Sequence, residues 1–174
     1  MADKRRPSDS LAYVTPRNEG KADAWSDESK QRGGQQLTEV AEVIPPAEVA
    51  EALALDGTAI VRRRVILLDG DAIELADSYY PLAVARGTAL AEKRKIKGGA
   101  PTLLAELGHQ ARHVSEDLEL REANDLERTA LALPAGANVL TLLRTATTED
   151  GSPIEVQFMV MKAPRRLHYE IEVD

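Results

Sequence analysis

The stretch VRRRVILLDGDAIELADSYYP, Val61 to Pro81, constrains the fold more than any other part of the chain. Thr58 to Leu68 and Ile73 to Pro81 are apolar runs of strand length on either side of Asp69-Gly70, a pair that readily supplies the backbone angles of a tight hairpin. So short a connection forces antiparallel pairing. Other strand-length runs are Leu37 to Ile44, Gln110 to Arg121, Val139 to Thr147, Ile154 to Met161 and Leu167 to Val173, with Glu149-Asp150-Gly151-Ser152 as a second turn. Pro45-Pro46 opens a short helix over Ala47 to Leu53, and Ala100 to Leu107 and Ala123 to Leu133 read as two more. Six or seven hairpin-connected strands with three short helices predict an α+β fold, an antiparallel sheet with helices packed on it. No internal repeat is visible.

Register decides which arginines of the triplet share a face, because a slip of one residue moves every side chain to the other side. A two-residue loop at Asp69-Gly70 would place Arg62 and Arg64 with Leu75 and Tyr79, mixing charge and hydrocarbon on both faces. A three-residue loop, with Gly70 in the left-handed position of a bulged turn, gathers Val61, Val65, Leu67, Ile73, Leu75 and Tyr79 into a core face. Arg63 then lies on that side near Asp77. The opposite face carries Arg62, Arg64, Ile66 and Leu68 with Glu74, Ala76, Ser78 and Tyr80. Such a half-ionic, half-apolar surface suits a pocket in which a guanidinium holds a carboxylate or phosphate. Solvated arginines on an ordinary surface remain the plainer reading of the hairpin alone.

Charge narrows the function. Lysine and arginine total 22 against 29 acidic residues, a formal net charge of -7, which disfavours a broad phosphate-binding surface. Aromatic residues make up 3% of the chain, too few for a base-stacking platform. No cysteine is present, which excludes disulfides and thiolate chemistry and fits a cytoplasmic protein. No apolar run approaches membrane-spanning length. Residues 1–36 are polar without hydrophobic period and are expected to form a flexible arm ahead of a domain at 37–174. Trp25, the sole tryptophan, favours docking on the domain or on a neighbouring subunit over exposure.

KIKGGAPT, Lys95 to Thr102, sets two glycines before a short helix, so that Lys97 and the free N–H groups of Gly98, Gly99 and Ala100 could meet an anion. A flexible loop is the simpler alternative. His109, His113 and His168 share no metal-ligand spacing, and no nucleophile motif or phosphate loop is present. Glu74 and Glu155 stand alone on strands rather than as an acid–base pair. Neither cofactor nor metal is expected.

The arginine-bearing strand, the Asp-Gly turn, LADSYYP, KGGAPTLLAELGH, DLERTALALPAG, VLTLLRTATTEDGSPIEV and LHYEIEV follow one another as in the UTRA domain, and Leu37 to Val173 resembles it. That domain is the effector-binding half of one branch of GntR-type bacterial transcription regulators. The resemblance implies a fold similar to chorismate lyase and a non-enzymatic, dimerising domain that senses a small metabolite. It also implies a pocket using Arg64, the Gly98-Gly99-Ala100 backbone and Glu155. Where sugar-phosphate sensors of the family carry a second arginine, a glutamate, and a serine and tyrosine of the phosphate loop, this chain has Ile66, Ala76, Gly99 and Pro101.

The expected function is therefore ligand-dependent regulation of transcription, through a homodimer or a heterodimer with a full-length relative. The polar arm offers no winged helix-turn-helix, so this chain alone is expected neither to bind DNA directly nor to engage a membrane. A small lyase acting on an aromatic carboxylate and a degenerate dimerisation partner are the alternatives.

Overall fold

A computed structural model describes residues 7–18, 21 and 24–168. Its strands are β1 (Pro7–Asp9), β2 (Gly33–Val43), β3 (Ala59–Leu68), β4 (Asp71–Pro81), β5 (His113–Glu122), β6 (Asn138–Thr147), β7 (Pro153–Lys162) and β8 (Arg166–His168). The helices are α1 (Ala24–Glu28), α2 (Ala47–Ala52), α3 (Leu82–Ala85), α4 (Ala100–Glu106) and α5 (Asp125–Ala130), with single 3-10 turns at Ser10–Tyr13 and Ala89–Ala91. Six strands form one antiparallel sheet in the order β2-β3-β4-β7-β6-β5, and β1 pairs in parallel with β8 beside it. The expected α+β architecture is the one observed. No helix among the described residues is long and apolar enough to cross a membrane.

The central hairpin reaches the expected partition of side chains by a different route. Leu68 pairs with Asp71, so the loop is Asp69-Gly70 alone, with φ of 52° and 88°. Both angles are positive, as a two-residue hairpin turn that follows the twist of its strands requires. The extra residue comes one step later. Leu67 faces Ala72 but Ile66 faces Glu74, so Ile73 is the inserted residue of a β-bulge. Beyond it Arg64 faces Ala76, Arg62 faces Ser78 and Ile60 faces Tyr80. Ile73 was expected among the core residues of the other side. The bulge turns it over, and it packs with Ile66 and Met161.

Both faces of the sheet carry packed side chains over its central strands, while the edge strand β5 is largely exposed. On one face, Val61, Tyr79 and Val156 pack beneath Val49 and Leu53, which belong to α2 and its C-terminal cap. Alongside, Val139 and Val160 pack under Leu131, which closes α5. That helix starts at a capping box: Asn124 Oδ1 accepts the Glu127 N–H and Glu127 Oε2 accepts the Asn124 N–H, both at 2.9 Å. On the other face Tyr80 and Ile154 meet Val84, Leu90 and Leu104 from α3, the second 3-10 turn and α4.

A repeat invisible in the sequence is plain in the topology. β2-α2-β3-β4 and β5-α5-β6-β7 have the same connectivity, and the strand order relates them by an approximate two-fold axis between β4 and β7. Both helices run into Ala-Leu-Ala-Leu, residues 52–55 and 130–133, and the third residue of each takes a positive φ, 50° at Ala54 and 49° at Ala132. Each half also places an arginine two residues before the partner of a buried glutamate. Ile66 pairs with Glu74 beyond Arg64, and Ala146 pairs with Glu155 beyond Arg144.

The segment expected as a polar arm is folded over its described residues 24–36. β2 begins at Gly33 rather than Leu37, and Trp25 of α1 is 3% exposed, packed with Ile66, Ala76, Leu142, Met159 and Met161. Gly33 makes this seat available, since a Cβ there would stand 2.2 Å from Trp25 Nε1 and 2.5 Å from Ser29 Oγ.

Candidate functional site

A cavity of about 330 Å³ lies on the face that carries Arg62, Arg64, Glu74 and Tyr80. That volume is at the lower end of small-ligand sites. The sheet supplies the floor, including Leu142 and Arg144 from β6 and Gln157, Met159 and Met161 from β7. The N-terminal segment contributes Tyr13, Arg17 and Trp25, the loop before α4 contributes Lys95, Gly98 and Gly99, and Arg165 enters from the link between β7 and β8. Arg17 N–H donates to Thr102 Oγ1 at 3.0 Å, joining the first two of these walls.

The three consecutive arginines do three different jobs. Arg62, 6% exposed, donates from Nη1 to the carbonyls of Ala89, Leu90 and Glu92 at 3.2, 2.9 and 2.7 Å, and from Nη2 to that of Arg94 at 2.8 Å. It fastens the connection after α3 to the sheet. Arg63 points the other way, bonded to Glu39 and to Asp77 at 3.2 Å. Arg64 lines the cavity and donates from Nη2 to Ser78 Oγ at 2.7 Å, while its Nε is buried without a partner among the described residues. A buried donor left unpaired is rare and costs about 1–3 kcal/mol.

The other residues singled out in the sequence divide similarly. Glu74, Tyr80, Gly98, Gly99 and Ala100 line the cavity; Ser78, Lys97 and Glu155 do not. Ser78 is fully buried as the acceptor for Arg64, and Lys97 is exposed while Lys95 takes the lining position. Helix α4 spans only seven residues, so its N-terminus offers little dipole to an anion. Glu155 is buried and satisfied from within, accepting from Tyr80 Oη at 2.6 Å and from Gln157 Nε2 at 3.0 Å.

Arg144 continues that network. Its Nε donates to Glu116 at 2.6 Å and its Nη1 to Gln157 at 2.9 Å, and its guanidinium lies 5.8 Å from the centre of the Tyr13 ring. Tyr13 in turn donates to Glu28 Oε2 at 2.5 Å. Burial, reinforced by Glu28, pushes the Tyr13 hydroxyl well above its ordinary range. Burial likewise raises Tyr80, with Glu155 beside it, so both phenols stay protonated. Burial also raises the Glu74 carboxyl, against the pull of Arg165, Arg64 and Arg144.

The sign of the cavity opposes that of the chain. Among the described residues, Arg17, Arg62, Arg64, Lys95, Arg144 and Arg165 line it with Glu74 as the one acidic lining residue, and Asp27, Glu116 and Glu28 pair with Arg17, Arg144 and Arg165 outside the lining, in a protein of net charge -7. Trp25, Tyr13, Arg144 and Arg165 were not singled out as site residues. Arg144 carried a signal, an arginine inside the apolar strand VLTLLRTAT. Arg165 carried none, because its place depends on how the chain leaves β7.

A family model described as the UTRA domain matches residues 29–165. The chain is 27% identical over 157 residues to an uncharacterized HTH-type transcriptional regulator of Streptomyces coelicolor, an alignment covering 87% of this chain and 56% of the relative. It thus spans about half the length of that curated relative. Among solved structures, it is similar to a protein assigned to the GntR family of transcriptional regulators, with a TM-score of 0.80, 22% identity, and coverage of 97% of this chain and 71% of the other. It is also similar to the effector domain of PhnF from Mycobacterium smegmatis, with a TM-score of 0.71, 16% identity, and coverage of 91% and 99%. At these identities the two structures carry the fold.

Proposed function

The chain belongs to the UTRA domain family, and on that premise we propose that its cavity binds a small anionic effector and that the protein serves transcriptional regulation as a sensor rather than as an enzyme. The observation that supports this most is the inverted charge of the cavity, with the buried, incompletely bonded guanidinium of Arg64 on its wall. A guanidinium offers donors and no acceptor, so its natural complement is a carboxylate or phosphate. The ligand-dependent signal would arise from different affinities for two arrangements of a dimer, since a ligand that binds both equally shifts nothing.

Thermal denaturation with glucose 6-phosphate, inorganic phosphate, hexanoate and neutral glucose, at matched chloride, tests the reading. A ligand at a hundred times its Kd stabilises the native state by about 2.7 kcal/mol, a rise of roughly 5–10 °C for a domain of this size. Anions are expected to raise Tm and glucose is not. Equal responses to anions and glucose, or none to any anion, would overturn the proposal.

A further inference from the structure

We infer that Arg165 is a second anion-holding residue of the cavity, acting with Arg64 as a pair of guanidinium groups that grip one oxyanion-bearing ligand. The inference rests on the ligand-binding reading of the cavity and adds a residue far from the arginine triplet. The lining arginines differ in how their donors are used. Arg62 is bonded to four backbone carbonyls, and Arg144 is held at 2.6 and 2.9 Å by Glu116 and Gln157. Among the described residues, Arg64 and Arg165 are the lining arginines whose buried Nε has no partner.

Arg165 is 12% exposed at its side chain, yet its Nη2 stands 3.5 Å from Glu74 and 3.9 Å from Glu28. Charge-assisted hydrogen bonds ordinarily close to 2.7–2.9 Å. The two carboxylates therefore balance its charge without saturating its donors. Glu74 also connects the two arginines, since its carboxyl lies in the field of both. Arg64 lies on β3 and Arg165 in the link between β7 and β8, and both line the cavity together with Glu74. The chemistry both require is an oxyanion, which a carboxylate or a phosphate supplies equally.

Trp25 reports on this site because it is the only tryptophan and lines the same cavity. In the full chain, titration of inorganic phosphate, glucose 6-phosphate and hexanoate against Trp25 fluorescence, with Tm read in parallel, compares wild type with Arg165→Gln, Arg165→Lys, Arg64→Gln and Arg64→Gln/Arg165→Gln. Arg165→Gln is expected to weaken the preferred probe at least tenfold, the loss appropriate to a charge-assisted hydrogen bond. Arg165→Lys should fall between, and the double variant should lose less than the product of the single losses. The probe that binds tightest assigns the oxyanion as phosphate or carboxylate.

If Arg165→Gln lowers Tm but binds the probe like wild type, Arg165 is structural and the inference fails. The anion-sensor reading would survive that result provided Arg64→Gln loses affinity. If Arg165→Gln does not fold, unchanged affinity in Arg165→Lys overturns the inference and weakened affinity supports it. If wild type takes up no anion, both readings fall together.

Discussion

Replacing Arg62 and Arg64 separately with methionine should split stability from binding between two residues two positions apart on the same face. Methionine keeps much of the hydrocarbon length and removes the donors. At position 62 four carbonyls lose the guanidinium: that of Leu90 through a buried bond, those of Ala89, Glu92 and Arg94 through bonds that are part-buried, although Ala89 and Glu92 keep a backbone N–H, from Glu92 and Arg94. With about 1–3 kcal/mol for the buried carbonyl and about 0.5 kcal/mol for each that water can reach, the loss is roughly 3 kcal/mol. For a domain of this length that is a fall of roughly 6–12 °C in Tm. At position 64 a single bond to Ser78 disappears together with an unpaired buried Nε, so the change should stay within about 1 kcal/mol. Thermal and urea denaturation measure the first effect and anion titration the second. Comparable losses of stability in the two variants would refute the division, as would an Arg62→Met protein of wild-type stability that no longer binds anions.

Gly33→Ala puts a methyl group where the indole of Trp25 sits, and displacing α1 should red-shift the Trp25 emission and increase acrylamide quenching; wild-type emission would contradict the assigned seat. Glu74→Gln tests the buried carboxyl. Burial raises its folded pKa above the ordinary 4.5, so between those values the native state holds more protons than the unfolded one, and Glu74's contribution to stability declines as pH rises through its folded pKa. Glutamine does not titrate, so the Tm of Glu74→Gln minus that of wild type should be larger at pH 7.5 than at pH 4.5; a difference that shrinks with pH would reverse the assignment.

Local chemistry made the sheet readable. Asp69-Gly70 announces its turn, and the alternation of Ile154, Val156, Phe158 and Val160 announces β7. The bulge at Ile73 was not readable because nothing about an isoleucine marks it as the inserted residue; the packing of the whole hairpin places it there. The facing of the arginines survived because it rests on segregating charge from hydrocarbon, which either loop geometry must satisfy. What separates Arg62 from Arg64 lies outside the hairpin, in the backbone of residues 89–94 that reaches only the former. The duplicated Ala-Leu-Ala-Leu was visible, but four residues cannot declare a repeat until the strand order shows what surrounds them. Trp25, Gly33 and Arg165 meet the cavity through distant contacts that no sequence period records.

The near two-fold arrangement of the sheet bears on ligand orientation. Two related half-sites facing one cavity would accept an elongated ligand equally well end for end, and a receptor of that kind cannot tell head from tail. Here one glutamate of the related pair is sealed against Tyr80 and Gln157 while the other opens to the cavity, and the Nε of Arg144 is bonded where that of Arg64, among the described residues, is not. Filling one half removes the degeneracy. If the cavity takes an anion as proposed, a molecule charged at a single end would have one favoured direction of entry, and a second charge at its other end would gain no matching cradle.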